Sequence, residues 1–401
     1  MEISTDHQKG SVFGSTLLIT GSCIGAGMLG LPVLAAQGGF LPSIIMFCLC
    51  WAFMAATGLL LLEVNLWFTG EVSIITMAGR TLGRIGQAFG WVLFCFLFYS
   101  LLVAFVSGCG ELVADFSEEI FGLAVPLWTG SVLFVVLFGI LVYLGTLAVD
   151  RFNRVLMAGL IVTYLILVAL GIPHIKIDLL RHIDWKASLL ALPAMVISFG
   201  YHNLVPSITT YLQHDARKLR IAILAGSAIP LLIYLVWMAI VMGLVPLEQF
   251  RRALTDGDMA THVLRKASGV KWIVDLSQYF AFFAIVTTLL GVSLSFVDFL
   301  ADGLHIKKTA AGKASICLLV LAPPLLMGIL YPKLFLKALS YAGAFGAVIL
   351  FGIMPALMVW SGRYREKIAR PTMLPGGKPA LLLVILFASV IFLLQLAQEV
   401  F

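Results

Sequence analysis

The sequence predicts an all-α membrane protein with 11 transmembrane helices, of which the first and the sixth are discontinuous. Of its 401 residues, 61% are hydrophobic and only 11% are charged, and the mean hydropathy is +1.06. Soluble proteins are roughly 45–50% apolar and 25% charged, so a water-soluble enzyme and a nucleic-acid-binding domain are both excluded. A membrane-spanning helix needs about 20 apolar residues, which leaves room for about ten to twelve crossings.

Apolar runs between charged or turn-rich breaks give the predicted spans. They lie at about 12–36, 42–67, 88–112, 127–147, 154–172, 188–210, 220–244, 273–299, 314–331, 335–360 and 379–398. An odd number of spans places the two termini on opposite sides of the membrane. The first run is interpreted as an uncleaved span, because it lacks the small-residue end of a cleavable signal peptide.

The basic residues predict the orientation. With the N-terminus in the cytoplasm, most of the 26 Lys and Arg residues fall in cytoplasmic segments, as the positive-inside rule requires. The C-terminus is then periplasmic, in the inner membrane of a bacterium. The pI near 9.0 is attributed to this asymmetry and not to nucleic-acid binding.

The six cysteines lie within apolar runs and are therefore interpreted as small buried side chains. Their spacing indicates neither a disulfide framework nor a metal site. The sequence lacks the phosphate-binding Gly-x-x-x-x-Gly-Lys-Ser/Thr motif, so we do not expect this chain to drive transport with ATP. We also expect no cofactor.

Two of the spans contain helix-breaking segments. Glycines and a proline interrupt Thr20–Pro32 in the first span, and Ser198–Asn203 is followed by Pro206 in the sixth. Unwound backbone inside a membrane is tolerated only where protein or a wet cavity surrounds it, so we expect the two breaks to face each other or a ligand. The alternative is that the glycines only allow close helix packing, which does not explain the polar residues of the sixth span.

Interrupted helices at corresponding positions of two halves are typical of transporters built from inverted repeats. A unit of five spans has an odd number of crossings, so its second copy is inverted. The predicted organisation is 1–11 cytoplasmic N-terminus, 12–172 first five-helix repeat, 173–187 outer loop, 188–360 second repeat, 361–378 cytoplasmic loop and 379–401 eleventh helix.

Several motifs, in this order, resemble the hydroxy and aromatic amino acid permease family of the amino acid/polyamine/organocation superfamily, and most of all its bacterial tyrosine-specific permeases. They are Gly10–Phe13, Ile24–Leu29, Leu60–Val64, Ser107–Leu112, Phe152–Arg154, Ser198–His202, Val205–Ile208, Arg217–Arg220, Gly226–Pro230 and Asp298–Asp302. The resemblance implies a LeuT-type 5+5 inverted repeat, residence in the inner membrane and proton-driven uptake of an aromatic amino acid.

An amino acid of this kind needs partners for its two charges at the membrane midplane. Amides between Ser22 and Gly27 would face the carboxylate, and carbonyls of both breaks would accept from the ammonium. The predicted substrate-binding residues are Thr20, Gly21, Ser22, Cys23, Gly25, Ala26, Gly27, Tyr99, Phe199, Gly200, Tyr201, His202 and Asn203. Tyr99 is included for the aromatic ring because the resemblance implies a tyrosine there, although an aromatic stripe with Phe94, Phe98 and Phe105 is more often ordinary packing.

Four residues are candidates for ion coupling. His202 can exchange a proton near neutral pH, because an unperturbed histidine has a pKa of about 6.5; the alternative is a neutral histidine that supports the break. Glu63 lies near the inner boundary, where a structural carboxylate competes with a proton relay. Thr287 and Thr288 could bind sodium beside the first span, or could bond the carbonyls of their own helix.

The sequence thus predicts a secondary transporter that imports an aromatic amino acid, with tyrosine first and tryptophan or phenylalanine open, by proton symport. Sodium-coupled symport of an aromatic or neutral amino acid is the alternative, and a channel is the alternative of another class, although the spans lack a continuous polar pore lining. The outer segment 245–272 is long enough to form an amphipathic lid.

Overall fold

The computed structural model describes residues 10–70, 72–267, 271–307, 309–368 and 372–400. All regular secondary structure in these ranges is helical. Ten helices there are long and apolar enough to cross a membrane, or 11 when one bent pair counts as a span. The predicted all-α membrane class is therefore confirmed. Residues 1–9 of the predicted N-terminal segment lie outside the described ranges.

The spans have the following bounds. Span 1 consists of α1 (Val12–Cys23) and α2 (Gly27–Ala35). Spans 2 to 5 are α3 (Phe40–Leu66), α4 (Ile74–Phe121), α5 (Leu127–Leu144) and α6 (Thr146–Gly171). Span 6 contains α7 (Trp185–Ser188), α8 (Leu192–Ser198) and α9 (Val205–Tyr211), and span 7 is α10 (Ala216–Leu244).

After span 7 come two short helices, α11 (Leu247–Asp256) and α12 (Ala260–Ala267). Spans 8 and 9 are α13 (Lys271–Gly303) and α14 (Ala310–Leu330). Span 10 joins α15 (Phe335–Tyr341) to α16 (Met354–Trp360) through a π-helix, Ala342–Ile353, and ends in a second π-helix, Ser361–Arg365. Span 11 is α17 (Gly377–Val400). Short 3₁₀ helices occur at Ile172–His174, Ile177–Arg181, Leu189–Ala191 and His202–Leu204.

Both predicted breaks are present. The two halves of span 1 are bent by 58° at residues 24–26. Gly25 and Gly27 have no side chain, and Ala26 between them has only a methyl group. Span 6 is interrupted more locally: α8 ends at Ser198, and the 3₁₀ helix begins at His202.

Span 3 is longer than the apolar run that predicted it at 88–112. Its helix begins at Ile74, with a kink at Gly83, whose φ of +77° is outside the helical range. Arg80 and Arg84 lie on either side of this kink, where two helical segments meet, and both are exposed. The segment after Gly83 therefore begins close to the predicted start of the span, and it continues past the predicted end at residue 112 to Phe121.

The spans differ in how deeply they are buried. In spans 10 and 6, 78% and 67% of the apolar window is buried inside the protein, against 28% in spans 5 and 11. Spans 6 and 10 are thus central, whereas spans 5 and 11 present most of their surface to the surroundings. Successive spans alternate in direction, so the starts of spans 1, 5 and 7 lie at the same end of the molecule. We call this end the first end. The helices α11 and α12 lie at the opposite end.

Candidate functional site

The two breaks face each other, as expected from the sequence. A Cβ atom on Gly27 would lie 3.0 Å from the hydroxyl oxygen of Ser198, the last residue of α8. The hydroxyl of Tyr234 in span 7 reaches the carbonyl oxygens of both Cys23 and Ser198, at 2.5 and 2.9 Å. The C-terminal ends of α1 and α8 therefore converge on one side chain.

A cavity of about 460 Å³ lies beside the breaks. Ten of the residues predicted for substrate or ion binding line it: Gly21, Ser22, Cys23, Gly25, Ala26, Gly27, Gly200, Asn203, Thr287 and Thr288. Seven further lining residues in spans 5, 8 and 10 were not among the predicted site residues: Asn153, Met157, Gly291, Val292, Ser295, Leu339 and Phe351. Among the described residues that line the cavity there is no Lys or Arg.

The break in span 1 leaves backbone amides at the start of α2. The N–H of Ala26 donates to Thr288 Oγ1 at 3.0 Å, and the N–H of Met28 donates to the carbonyl of Gly25 at 3.0 Å. The N–H groups of Gly25 and Gly27 find no acceptor among the described residues. Only glycine fits at residue 25, because a Cβ atom there would lie 2.3 Å from Thr288 Oγ1.

Thr20 is buried and lies outside the cavity lining. Its hydroxyl donates to the carbonyl of Gly226 in span 7 at 3.0 Å. That carbonyl lacks its helical donor because Pro230, four residues later, has no N–H. Thr20 therefore satisfies a carbonyl that a proline has freed.

Tyr99 is not brought to the cavity either. Its hydroxyl donates to the carbonyl of Leu319 in span 9 at 2.9 Å, which is the carbonyl that Pro323 frees. Phe98 and Phe105 of the same predicted aromatic stripe do line the cavity. Phe94 instead stacks between Phe98 and Phe299, with ring centroids at 4.8 and 4.5 Å.

The aromatic residues of the second break lie behind the cavity wall. Phe199 and Tyr201 are fully buried; Phe199 packs against Phe47, and the hydroxyl of Tyr201 donates to the carbonyl of Met54 at 3.1 Å. These residues therefore support the break and do not line the cavity.

His202 is fully buried and sandwiched between two rings. Its imidazole stacks on Tyr201 and on Phe351, each with ring centroids 4.8 Å apart, and Phe351 lines the cavity. His202 Nε2 lies 2.9 Å from Thr57 Oγ1, whose hydroxyl donates to the carbonyl of Met54. When the Thr57 hydroxyl donates to Met54, Nε2 is the donor to Thr57 Oγ1 and Nδ1 is the unprotonated nitrogen; Nδ1 has no hydrogen-bond partner among the described residues.

Glu63 is completely paired. Its two carboxylate oxygens accept from Nε and Nη2 of Arg363, both at 2.6 Å, and one of them also accepts the N–H of Met373 at 2.7 Å. This fork joins the ends of spans 2 and 10 to the segment before span 11. Sequence reasoning missed Arg363, which lies 300 residues away in the chain.

The two threonines of span 8 differ in their contacts. Thr287 donates to carbonyls of its own helix, at Phe283 and Ala284. Thr288 donates to Ala284 at 2.6 Å and also accepts the N–H of Ala26. Among the described residues there is no cluster of His, Cys, Asp or Glu that could hold a metal ion.

An ionic cluster covers the opposite end of the molecule. Lys333, before span 10, lies 2.8 Å from Asp258 between α11 and α12. Arg265 and His262 of α12 lie 3.0 and 3.3 Å from the carboxylate of Asp115 in span 3. Burial alone would lower the pKa of Lys333, but its bond to Asp258 and nearby carboxylates raise the pKa above its usual value, so Lys333 is charged at neutral pH.

Comparison with known proteins agrees with this architecture. The tryptophan/tyrosine permease family matches residues 8–395. Tyrosine-specific transport system 1 of Haemophilus influenzae is 34% identical over 388 residues, which cover 94% of each chain. The tryptophan-specific transport protein of Pseudomonas aeruginosa is 31% identical over 396 residues, covering 96% of this chain and 94% of the relative. The chain therefore belongs to the tryptophan/tyrosine permease family and is a membrane transport protein, not an enzyme.

Proposed function

We propose that the protein is a secondary transporter that imports an aromatic amino acid, with tyrosine as the first candidate, by proton symport and alternating access. The observation that carries this proposal is the cavity of about 460 Å³ between two facing helix breaks. Small-molecule sites typically occupy roughly 300–1,000 Å³. Relatives named for tyrosine and for tryptophan support an aromatic substrate and keep tryptophan and phenylalanine as further candidates.

The substrate carboxylate is assigned to the start of α2. The N–H groups of Gly25 and Gly27, which have no acceptor among the described residues, would donate to it there, at the positive end of the helix dipole. No Lys or Arg is found among the described lining residues, so the carboxylate has no cationic side chain there and is assigned to these two backbone amides. Ser22 adds an exposed side chain on the same wall.

The ammonium and the ring are assigned to two other walls. The carbonyls of Cys23 and Ser198, at the ends of α1 and α8, are acceptors for the ammonium, and both residues line the cavity. Phe98, Phe105 and Phe351 supply apolar surface for the aromatic ring. The breaks thus bind the part shared by all amino acids, and spans 3 and 10 select the side chain.

His202 is the candidate for the coupling proton. Its Nδ1 carries a lone pair that no described residue uses, and a single ring, Phe351, stands between the imidazole and the cavity. A proton gained at Nδ1 would turn both ring nitrogens into donors. Sodium coupling is less well supported, because the N–H of Ala26 points at Thr288 Oγ1, and a donor directed at that oxygen disfavours a cation there.

The two-repeat organisation and the orientation complete the proposal. Discontinuous spans 1 and 6 that face each other are what repeats over 12–172 and 188–360 in a LeuT-type arrangement would give. Basic residues support a cytoplasmic N-terminus and a periplasmic C-terminus in a bacterial inner membrane. The cavity extends toward the first end, at Leu17, Leu18 and Asn153, whereas the ionic cluster covers the other end, which corresponds to an inward-facing conformation.

Uptake into liposomes tests the proposal. Purified protein should accumulate labelled tyrosine when a proton gradient is imposed, and unlabelled aromatic amino acids should compete. A sodium gradient alone should drive no accumulation. Accumulation driven by sodium and not by protons would replace proton symport with the sodium alternative, and absence of saturable aromatic amino acid uptake would refute the function.

His202→Gln tests the coupling residue. We expect it to abolish pH-driven accumulation while exchange of internal for external tyrosine continues, because the substrate site is retained and the proton acceptor is lost. His174→Gln is the matched control, since His174 is exposed and bonds the carbonyl of Leu170. Unchanged pH-driven accumulation in the His202 variant would exclude His202 as the coupling group.

A further inference from the structure

Two of the carbonyls that the breaks free lie at the ends of α1 and α8, on Cys23 and Ser198. In a continuous helix, the carbonyl of Cys23 would accept from residue 27 and that of Ser198 from residue 202. No backbone N–H of the described residues donates to either carbonyl. Both instead lie next to one hydroxyl, that of Tyr234, at 2.5 and 2.9 Å.

A single hydroxyl cannot fully satisfy two carbonyls, since it supplies one proton. One of the two carbonyls therefore keeps its acceptor capacity at any moment, and both residues line the cavity. Tyr234 itself is fully buried and lies outside that lining. Its ring is fixed between Phe47 and Phe199, with centroids at 5.8 and 5.5 Å.

Span 7 holds the first break at further points. Trp237, one turn beyond Tyr234, donates from Nε1 to the carbonyl of Met28 at 2.8 Å. Pro32 cannot donate to that carbonyl because it has no N–H. Span 7 is therefore a fixed support for both halves of span 1, and Tyr234 is the contact that extends this support to span 6.

We infer that Tyr234 is a positioning residue for the substrate ammonium. Its hydroxyl draws the carbonyls of Cys23 and Ser198 to one point, so an ammonium with three N–H donors meets both acceptors without first having to order them. This inference rests on the proposed function, because it requires an α-amino acid in the cavity. It assigns to span 7 a part in substrate affinity, although span 7 does not supply a group that touches the substrate.

Tyr234→Phe tests this role, since it removes the hydroxyl and keeps the packed ring. We expect the KM for tyrosine to rise five- to tenfold, with Vmax and the melting temperature nearly unchanged. Tyr164→Phe is the matched control. The hydroxyl of Tyr164 in span 5 donates to the carbonyl of Ile233 in span 7 at 2.9 Å, and neither residue lines the cavity. The KM of this variant should equal that of the wild type.

Inhibition by the deamino acid 3-(4-hydroxyphenyl)propionate gives a second readout. It lacks the ammonium, so its Ki should stay within twofold in Tyr234→Phe, and the ratio of Ki to KM does not depend on the amount of folded protein. An unchanged KM, an equal rise in Ki, or the same KM rise in Tyr164→Phe would overturn the inference. Failure of the wild type to bind tyrosine would instead refute the proposed function.

Discussion

Interrupted helices occur in two forms in this protein. The two forms differ in whether the backbone groups that lose their helical hydrogen bonds find another partner. In spans 7 and 9 the interruptions are prolines within continuous helices. The carbonyl freed by Pro230 accepts from Thr20, and the carbonyl freed by Pro323 accepts from Tyr99. These groups are satisfied within the protein, so the kinks have a structural explanation.

The breaks of spans 1 and 6 are different. The N–H groups of Gly25 and Gly27 have no acceptor among the described residues, and they lie on the cavity. Polar backbone inside a membrane is expensive when unpaired. The comparison teaches that the two open amides of span 1 lie where a ligand can reach them, whereas the carbonyls freed by Pro230 and Pro323 are paired within the protein.

The same contrast separates two ionisable residues. Glu63 is paired through both oxygens with Arg363, whereas the Nδ1 atom of His202 has no partner among the described residues. Glu63 therefore has the contacts of a structural residue, and His202 retains a free proton-accepting atom.

Glu63→Gln should have the largest effect on stability. It leaves the guanidinium of Arg363, 10% exposed, without its counter-charge, and breaking a buried ion pair costs about 3–5 kcal/mol. We expect the free energy of unfolding in detergent to fall by that amount, while the protein that remains folded keeps pH-driven accumulation. Asp150→Asn, in the exposed pair with Arg154, is the control and should change stability by less than about 1 kcal/mol. Loss of pH-driven accumulation in folded Glu63→Gln would show that Glu63 takes part in proton coupling.

Gly25→Ala should reduce tyrosine uptake at least tenfold. The added Cβ atom would lie 2.3 Å from Thr288 Oγ1, and Thr288 cannot turn away without losing its bonds to Ala26 and Ala284. Initial uptake rates measure the effect. Gly291→Ala, on the same cavity but with no atom within 4 Å of its Cβ, should retain wild-type uptake. Equal uptake by Gly25→Ala and Gly291→Ala would show that the break in span 1 is no more sensitive to an added methyl group than the rest of the cavity wall, and would contradict this prediction.

Tyr99→Phe should lower stability modestly and leave substrate affinity unchanged. It removes one hydrogen bond to the carbonyl of Leu319, worth about 0.5–1.5 kcal/mol. Thermal unfolding and the KM for tyrosine are the two measurements. A raised KM with unchanged stability would show that Tyr99 contacts the substrate after all, and so would contradict the structural explanation of Tyr99.

Lys333→Met should have the smallest effect. A partly exposed ion pair contributes about 0.5–1 kcal/mol, so loss of the contact with Asp258 should open the covered end about two- to fivefold more often. An impermeant maleimide added to intact cells should then label Ser22→Cys faster, in a Cys48→Ala background because Cys48 is exposed. Lys337→Met, which loses an exposed pair with Glu399, is the control. An equal rate in both variants would argue that the ionic cluster does not close this end.

Composition and glycine patterns were sufficient to predict the helical class, the approximate number of spans and both breaks. Hydropathy is a local property, so each span could be found from its own residues. The same logic placed Gly25, Gly27 and Gly200 at the cavity, because an unwound segment has to be sheltered wherever the rest of the chain lies.

Contacts between distant spans could not be predicted in this way. Nothing local to Tyr99 reveals that it faces Pro323, and nothing near Glu63 reveals Arg363. One signal was available: each proline in a span frees the carbonyl four residues earlier, so Pro32, Pro230 and Pro323 mark carbonyls that need donors. Tyr99 would then have been a candidate donor as well as a candidate substrate contact.

A structure of the protein with bound tyrosine tests the central claim most directly. We predict the carboxylate within about 2.7–3.2 Å of the N–H of Gly25 or Gly27, with the ammonium beside the carbonyls of Cys23 and Ser198. Tyrosine bound elsewhere, with these four groups unoccupied, would contradict the account.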